Sequence, residues 1–140
     1  MSSPHHLDEP GAPLLFASGA PGLVVTDVDS TLIAQEVIEE LAEAAGTREQ
    51  VAAVTARAMN GELDFAESLR ERVATLRGVP HSVFADVLAR VTPTKGTREL
   101  IDAVHAAGGH FGVVSGGFEE VVAPLAASLG IDFYAANRLE

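Results

Sequence analysis

The sequence predicts an α/β protein, a parallel, doubly wound sheet interrupted by a block of helices. Three observations lead there. An apolar run, Leu23-Val24-Val25, ends in Asp27-Val28-Asp29-Ser30-Thr31. The stretch from about residue 36 to 91 then repeats helical periodicity four times with no strand between. After Pro93, helical patterns alternate with short apolar runs, the order that joins parallel strands by crossover helices.

Residues 1 to 22 hold four of the seven prolines with several Gly and Ser, which predicts a loosely ordered segment. Within it, Leu14-Leu15-Phe16 is able to pin a short piece to the core, and His5-His6 reads as a solvated pair. Leu23 to Thr26 is a short β-branched run suited to a strand buried on both faces. From Ala34 to Ala45, Val37, Ile38, Leu41, Ala42 and Ala45 recur at helical spacing, Glu39, Glu40 and Glu43 face away, and Gly46 stops the helix. Thr47, with Gln50 three residues on, caps a second helix that runs to about Met59 and breaks at Asn60-Gly61. Asp64 caps a third, with Phe65, Leu69, Val73 and Leu76 on one face and Gly78 beyond its end. Pro80 opens a fourth, which reaches about Arg90 through Val83, Phe84, Val87 and Leu88. These four helices form an insertion, or cap.

Beyond Pro93 the pattern gives a helix over 97–107, a strand over 111–114, a helix over 118–129 and a strand over 131–134. Gly108-Gly109 and Gly130 are the stops. The expected organisation is an N-terminal segment 1–22, an α/β core of 23–35 and 92–140, and a helical cap of 36–91.

With 47% apolar residues in a 140-residue chain, there is material for one modest core. The lack of cysteine excludes disulfides, thiolate zinc sites and thiol catalysis, and fits a reducing compartment. A formal charge of -11 argues against nucleic acid as a partner, and it makes an anionic substrate awkward without a divalent cation. No apolar run approaches the roughly 20 residues that span a bilayer, and the N-terminus lacks the pattern of a signal peptide. The expectation is a soluble, cytoplasmic protein with neither nucleic-acid nor membrane partners.

Asp27, Asp29 and Ser115 all fall at the carboxyl ends of expected strands, where open α/β sheets bind ligands. Two carboxylates beside a buried apolar strand are costly to desolvate, so such a pair usually serves a metal or a reaction. One carboxylate can attack phosphorus and form an acyl-phosphate. The other can protonate the leaving alkoxide and later deprotonate water. Both are acids and a phosphate ester is a dianion, so a hard cation such as Mg²⁺ is needed between them. Ser115-Gly116-Gly117 puts a hydroxyl and flexible backbone where a helix is expected to begin, which suits a phosphate. The plain structural alternatives are turn or cap roles for Asp27 and Asp29 and an N-cap role for Ser115.

Asp27-Val28-Asp29-Ser30-Thr31-Leu32 resembles the first motif of the haloacid dehalogenase superfamily, in the form typical of its phosphoserine phosphatases. Further stretches resemble the same family in order: Glu36-Val37-Ile38-Glu39-Glu40-Leu41-Ala42, Ala58-Met59-Asn60-Gly61-Glu62-Leu63-Asp64-Phe65, Ser68-Leu69-Arg70-Glu71-Arg72-Val73, Val114-Ser115-Gly116-Gly117-Phe118 and Ala136-Asn137-Arg138-Leu139-Glu140. The resemblance implies a Rossmannoid sheet with an inserted four-helix cap. It also implies Mg²⁺-dependent hydrolysis of L-phosphoserine through an aspartyl-phosphate, the last step of serine biosynthesis.

By that resemblance Asp27 is the nucleophile and a metal ligand. Asp29 is the general acid and base and lends the metal its backbone carbonyl. Glu36 pairs with the substrate ammonium and Arg72 with its carboxylate, which agrees with the chemistry of a guanidinium fork. Met59 and Phe65 line the pocket from the cap, and Ser115, Gly116 and Gly117 hold the transferring phosphoryl group.

Two departures stand out. Lys95 replaces the proline that the family usually has directly before glycine, a loop detail. The chain also ends at Glu140, before the family's third and fourth motifs, which supply a phosphate-neutralising lysine and an acid of the metal site. The expectations are therefore a truncated sheet, little or no turnover by this chain alone, and an open edge along Leu23 to Asp27. Such an edge invites self-association or a complementing C-terminal fragment. Two other readings remain open, hydrolysis of another small phosphomonoester and a non-catalytic interaction module.

Overall fold

The structure, a computed structural model, describes residues 19–139. His5, His6, the Leu14-Leu15-Phe16 run and Glu140 lie outside the described residues. Three parallel strands, β1 (Leu23–Thr26), β2 (His110–Phe118) and β3 (Phe133–Asn137), form one sheet in the order β1-β2-β3. Between β1 and β2 come an irregular helical turn (Val28–Leu32) and five helices. These are α1 (Val37–Ala45), α2 (Arg48–Met59), α3 (Phe65–Ala74), α4 (Val83–Arg90) and α5 (Thr97–Ala106); α6 (Glu119–Leu129) joins β2 to β3. The parallel sheet with an inserted helical cap is the expected architecture.

Sequence chemistry accounts for the helix ends. The Asp64 carboxylate accepts the Glu67 N–H while the Glu67 carboxylate accepts the Asp64 N–H, a reciprocal cap that starts α3. Thr47 caps nothing with its side chain; its hydroxyl lies 3.4 Å from that of Thr75, a tertiary contact that wins over the local one. Gly46 takes a left-handed φ of 73° to close α1, a conformation in which any side chain would be strained.

The cap is built pairwise: α1 packs on α4 and α2 on α3. Leu41, Val51 and Val87 are fully buried in a core continuous with Ile101, Phe111, Val113 and Val121 below. Its two connections to the core run side by side. Ile33 and Pro93 form an antiparallel bridge, and the Ala34 N–H donates to Thr92 O at 3.0 Å. The Gln35 amide both donates to the Thr92 hydroxyl (3.0 Å) and accepts the Thr92 N–H (2.9 Å).

Three expectations need correction. First, β1 is not buried on both faces: Val24 turns toward the helices, but Leu23 and Val25 are 55% and 47% exposed. They share one sheet face with Val114 and Phe133, a face that no other element among the described residues covers. On this face the Phe133 ring lies across Gly112, where an added Cβ would come within 2.0 Å of it. Second, β2 does not stop at residue 114 but runs through Ser115-Gly116-Gly117 to Phe118, and α6 begins at Glu119. Third, β3 starts at Phe133, two residues later than expected. Asp132 is occupied elsewhere: its carboxylate accepts the Phe111 N–H (2.7 Å) and pairs with His105 (2.7 Å).

Candidate active site

Asp27 follows β1 directly, in extended conformation, and its Oδ1 accepts the Val28 N–H at 2.7 Å. The turn after it is forced by two residues, Asp29 (φ −61°, ψ 130°) and Ser30 (φ 53°, ψ 17°). Ser30 is the one non-glycine residue with positive φ among the described residues, an uncommon conformation held only when its surroundings fix it. Here the Ser30 N–H donates to Gln35 O (3.0 Å) and its hydroxyl to Glu36 Oε1 (2.6 Å). The same turn brings Asp29 Oδ1 to the Val37 N–H at 2.9 Å, at the start of α1. Sequence reasoning did not single out Ser30, since a left-handed backbone at a serine leaves no compositional trace.

A cleft of about 200 Å³ opens above these residues. Its charged walls are Asp27, Asp29, Glu36 and Arg72. Backbone of Gly116 and Gly117 forms another wall, and Ile38, Phe65, Leu69 and Phe118 complete it with apolar surface. Arg72 Nε donates to Ser68 O at 3.3 Å, and no carboxylate of the described residues pairs with its guanidinium. Gly117 lies so close that a Cβ there would be 3.4 Å from Asp29 Oδ2; one on Gly116 would be 3.1 Å from the Phe65 ring.

The structure therefore brings together Asp27, Asp29, Glu36, Phe65, Arg72, Gly116 and Gly117. Ser115, next to the glycine wall, is buried and is not among the cleft-lining residues; its Oγ accepts the Gly117 N–H at 2.9 Å instead of capping α6. Met59 is not among the cleft-lining residues; it ends α2 at 84% exposure. Ile38, Leu69 and Phe118, which the sequence reading treated as ordinary packing residues or passed over, do line it. A larger cavity of about 430 Å³ lies between the end of α3, the start of α4 and Leu139, but Glu120 is its lone acid. The acids Asp27, Asp29 and Glu36 gather in the smaller one.

Burial is the main force that raises the Asp29 pKa above its ordinary value, and the charges of Glu36 and Asp27 push the same way. The Val37 N–H and the more distant Arg72 oppose them. A raised pKa makes Asp29 a readier proton donor than an ordinary carboxyl. The raised pKa also carries a stability consequence. Ionising Asp29 costs more folded than unfolded, so its penalty grows as pH rises from the unfolded pKa through the folded one. In chelator-containing buffer at pH 7, Asp29→Asn is expected to raise the melting temperature by about 2–4 °C, and the gain is expected to vanish below about pH 4. Thermal melts across pH check this; a loss of stability at pH 7 would contradict it.

Among the described residues no group of three or more His, Asp or Glu side chains is arranged to hold a metal ion. Asp27 and Asp29 nevertheless offer hard oxygens, each with one carboxylate oxygen already committed to a backbone N–H. Such a partial set fits Mg²⁺, which keeps several waters and binds through one or two carboxylates.

The chain belongs to the haloacid dehalogenase-like hydrolase family, which matches it over residues 24–140. Within that family it is similar to phosphoserine phosphatases. The enzyme of Streptococcus thermophilus is 54% identical over 123 residues, 88% of this chain and 57% of that protein. The one from Lactococcus lactis is 53% identical over 120 residues, 86% of this chain and 56% of that protein. Among solved structures, a phospho-aspartyl intermediate analogue of phosphoserine phosphatase superposes with a TM-score of 0.77 at 40% identity, covering 86% of this chain and 58% of the other. A haloacid dehalogenase-family hydrolase from Salmonella enterica serovar Typhi gives 0.83 at 34% identity, covering 86% and 42%. The chain thus spans a little over half the length of these two curated relatives, and less of several others it matches. No helix among the described residues is long and apolar enough to cross a membrane.

Proposed function

We propose that the cleft is that of a phosphoserine phosphatase, which converts L-phosphoserine and water to L-serine and phosphate. The observation that carries this reading is one cleft lined by a guanidinium, Arg72, and a separate carboxylate, Glu36, beside Asp27 and Asp29. Phosphate, ammonium and carboxylate of a phosphorylated amino acid each find a partner of matching chemistry. The similarity to an enzyme solved as a phospho-aspartyl analogue supports the covalent route.

In this mechanism an Asp27 oxygen attacks phosphorus and the ester P–O bond breaks. Asp29, whose raised pKa favours the protonated form, gives its proton to the departing serine oxygen. Water then attacks the aspartyl-phosphate, Asp29 takes up its proton, and phosphate leaves with Asp27 regenerated. Gly116, Gly117 and the Ser115 hydroxyl face the phosphoryl oxygens, Glu36 the ammonium and Arg72 the carboxylate. Met59 closes over the substrate only if the cap moves, since it stands outside the cleft. The Asp27 carboxylate and the Asp29 carbonyl would hold Mg²⁺, which would supply positive charge between two anions. Residues 36–91 act as the cap over a core of 23–35 and 92–140, in a cytoplasmic protein.

Electrostatics gives the test. Three carboxyl groups against one guanidinium leave the cleft richer in acids than in bases, which disfavours a phosphate dianion. Mg²⁺ is expected to tighten binding of O-phospho-L-serine at least about tenfold over chelator buffer, and removal of the amino group from the ligand to weaken it about tenfold. Titration calorimetry on the 140-residue chain measures both. Binding indifferent to the amino group would favour another small phosphomonoester as substrate.

The bare face and open edge of β1 support a second proposal. Leu23, Val25, Val114 and Phe133 present contiguous apolar surface, which drives association with a second copy or with a complementing polypeptide.

A further inference from the structure

Of the stretches that the sequence analysis singled out, Ala136-Asn137-Arg138-Leu139 has no part in the chemistry above. Its geometry gives it one. Between Val114↔Ala135 and Phe118↔Asn137 the ladder is irregular: β2 advances four residues while β3 advances two. The two surplus residues fall within Ser115-Gly116-Gly117, a stretch that leaves the ladder and whose glycines line the cleft. Backbone in such a stretch loses its ladder partners, and Asn137 replaces one of them. Its Nδ2 donates to Gly116 O at 3.0 Å; the opposite amide orientation would set two oxygens against each other.

The other end of the same peptide group is also held, because the Gly117 N–H donates to Ser115 Oγ at 2.9 Å. With its oxygen accepting, the Ser115 hydroxyl keeps its proton free to donate. Asn137 itself stands on a braced strand end. Arg138 pairs with Glu119, the Tyr134 hydroxyl donates to Glu119 (3.2 Å), and the Leu139 N–H donates to Glu120 (3.0 Å).

We propose that Asn137 is a positioning residue for the phosphoryl-holding wall. By fixing the Gly116–Gly117 peptide plane it aims the Ser115 hydroxyl and the glycine backbone at the phosphoryl oxygens. This rests on the phosphoryl-transfer reading of the cleft.

Amide NMR of the full 140-residue chain tests it, with inorganic phosphate and Mg²⁺ as the probe. In Asn137→Ala, hydrogen exchange at the Gly117 amide is expected to accelerate about tenfold and phosphate affinity to fall about fivefold to tenfold. Because Asn137 is exposed, the melting temperature is expected to stay within about 2 °C of wild type. Asn137→Asp keeps the shape without the donor and is expected to show the same faster exchange; it carries the exchange measurement if the alanine variant folds poorly. Unchanged Gly117 exchange and unchanged phosphate affinity in variants that remain folded would overturn the proposal and leave the cleft's function standing. Phosphate that fails to move the wild-type Gly116 and Gly117 signals would sink the phosphoryl reading and this inference together.

Discussion

Asp27→Asn is expected to bind O-phospho-L-serine and never take its phosphoryl group. An amide nitrogen is not a nucleophile at neutral pH, so phosphoryl transfer is expected to fall by at least about 10⁴-fold. The fold has no reason to suffer, since Asn Oδ1 can still accept the Val28 N–H that Asp27 accepts at 2.7 Å. Affinity moves in the opposite direction: a cleft relieved of one of its three carboxylates repels the dianion less. Acid-quenched mass spectrometry after mixing with phosphoserine and Mg²⁺ is the direct measurement. A phosphoryl adduct on the wild-type chain, absent from the variant while calorimetry shows binding kept or tightened, is the expected result. An adduct that survives the substitution would move the nucleophile elsewhere.

Arg72→Ala carries the second large effect. Arg72 is partly buried on α3, and its guanidinium pairs with no carboxylate of the described residues, so it is available to a ligand. Losing a bidentate, partly desolvated carboxylate contact is expected to weaken phosphoserine about 100-fold. Phosphoethanolamine, which has the phosphate and ammonium but no carboxylate, separates the possible roles. Its affinity is expected to stay within about twofold of wild type. Equal losses for both ligands would mean that Arg72 reads the phosphate. Arg72→Lys is expected to recover only part of the loss, because an ammonium cannot reproduce the fork.

The cleft's ingredients were legible where chemistry and local pattern coincide. Asp27 and Asp29 stand out because acids at the end of an apolar strand need a purpose, and Asp64 because a short acid directly before a helical apolar pattern marks a helix start; its reciprocal partner Glu67 came only with the structure. The crossover order announced parallel strands for the same local reason. What escaped depends on distant partners. The Thr47 hydroxyl goes to Thr75, Asp132 leaves the expected strand to serve Phe111 and His105, and a glycine pair disguised the continuation of β2 as the start of a helix. The family resemblance put Met59 in the pocket lining, but a motif match cannot say how a side chain at a helix end is packed, and here Met59 is exposed outside the cleft. The bare face of β1 is the same lesson at the scale of the sheet: an apolar run declares that burial is wanted, and only the fold says whether it is provided.

The ribbon at Ile33 and Pro93 has an evolutionary corollary. Polypeptide that departs and returns at one spot imposes little loop-closure entropy on the host sheet, whatever its length. The helices between those two residues are thus free to be lengthened, trimmed or exchanged by recombination while the acids below keep their places. One scaffold can in this way be refitted for many phosphate esters.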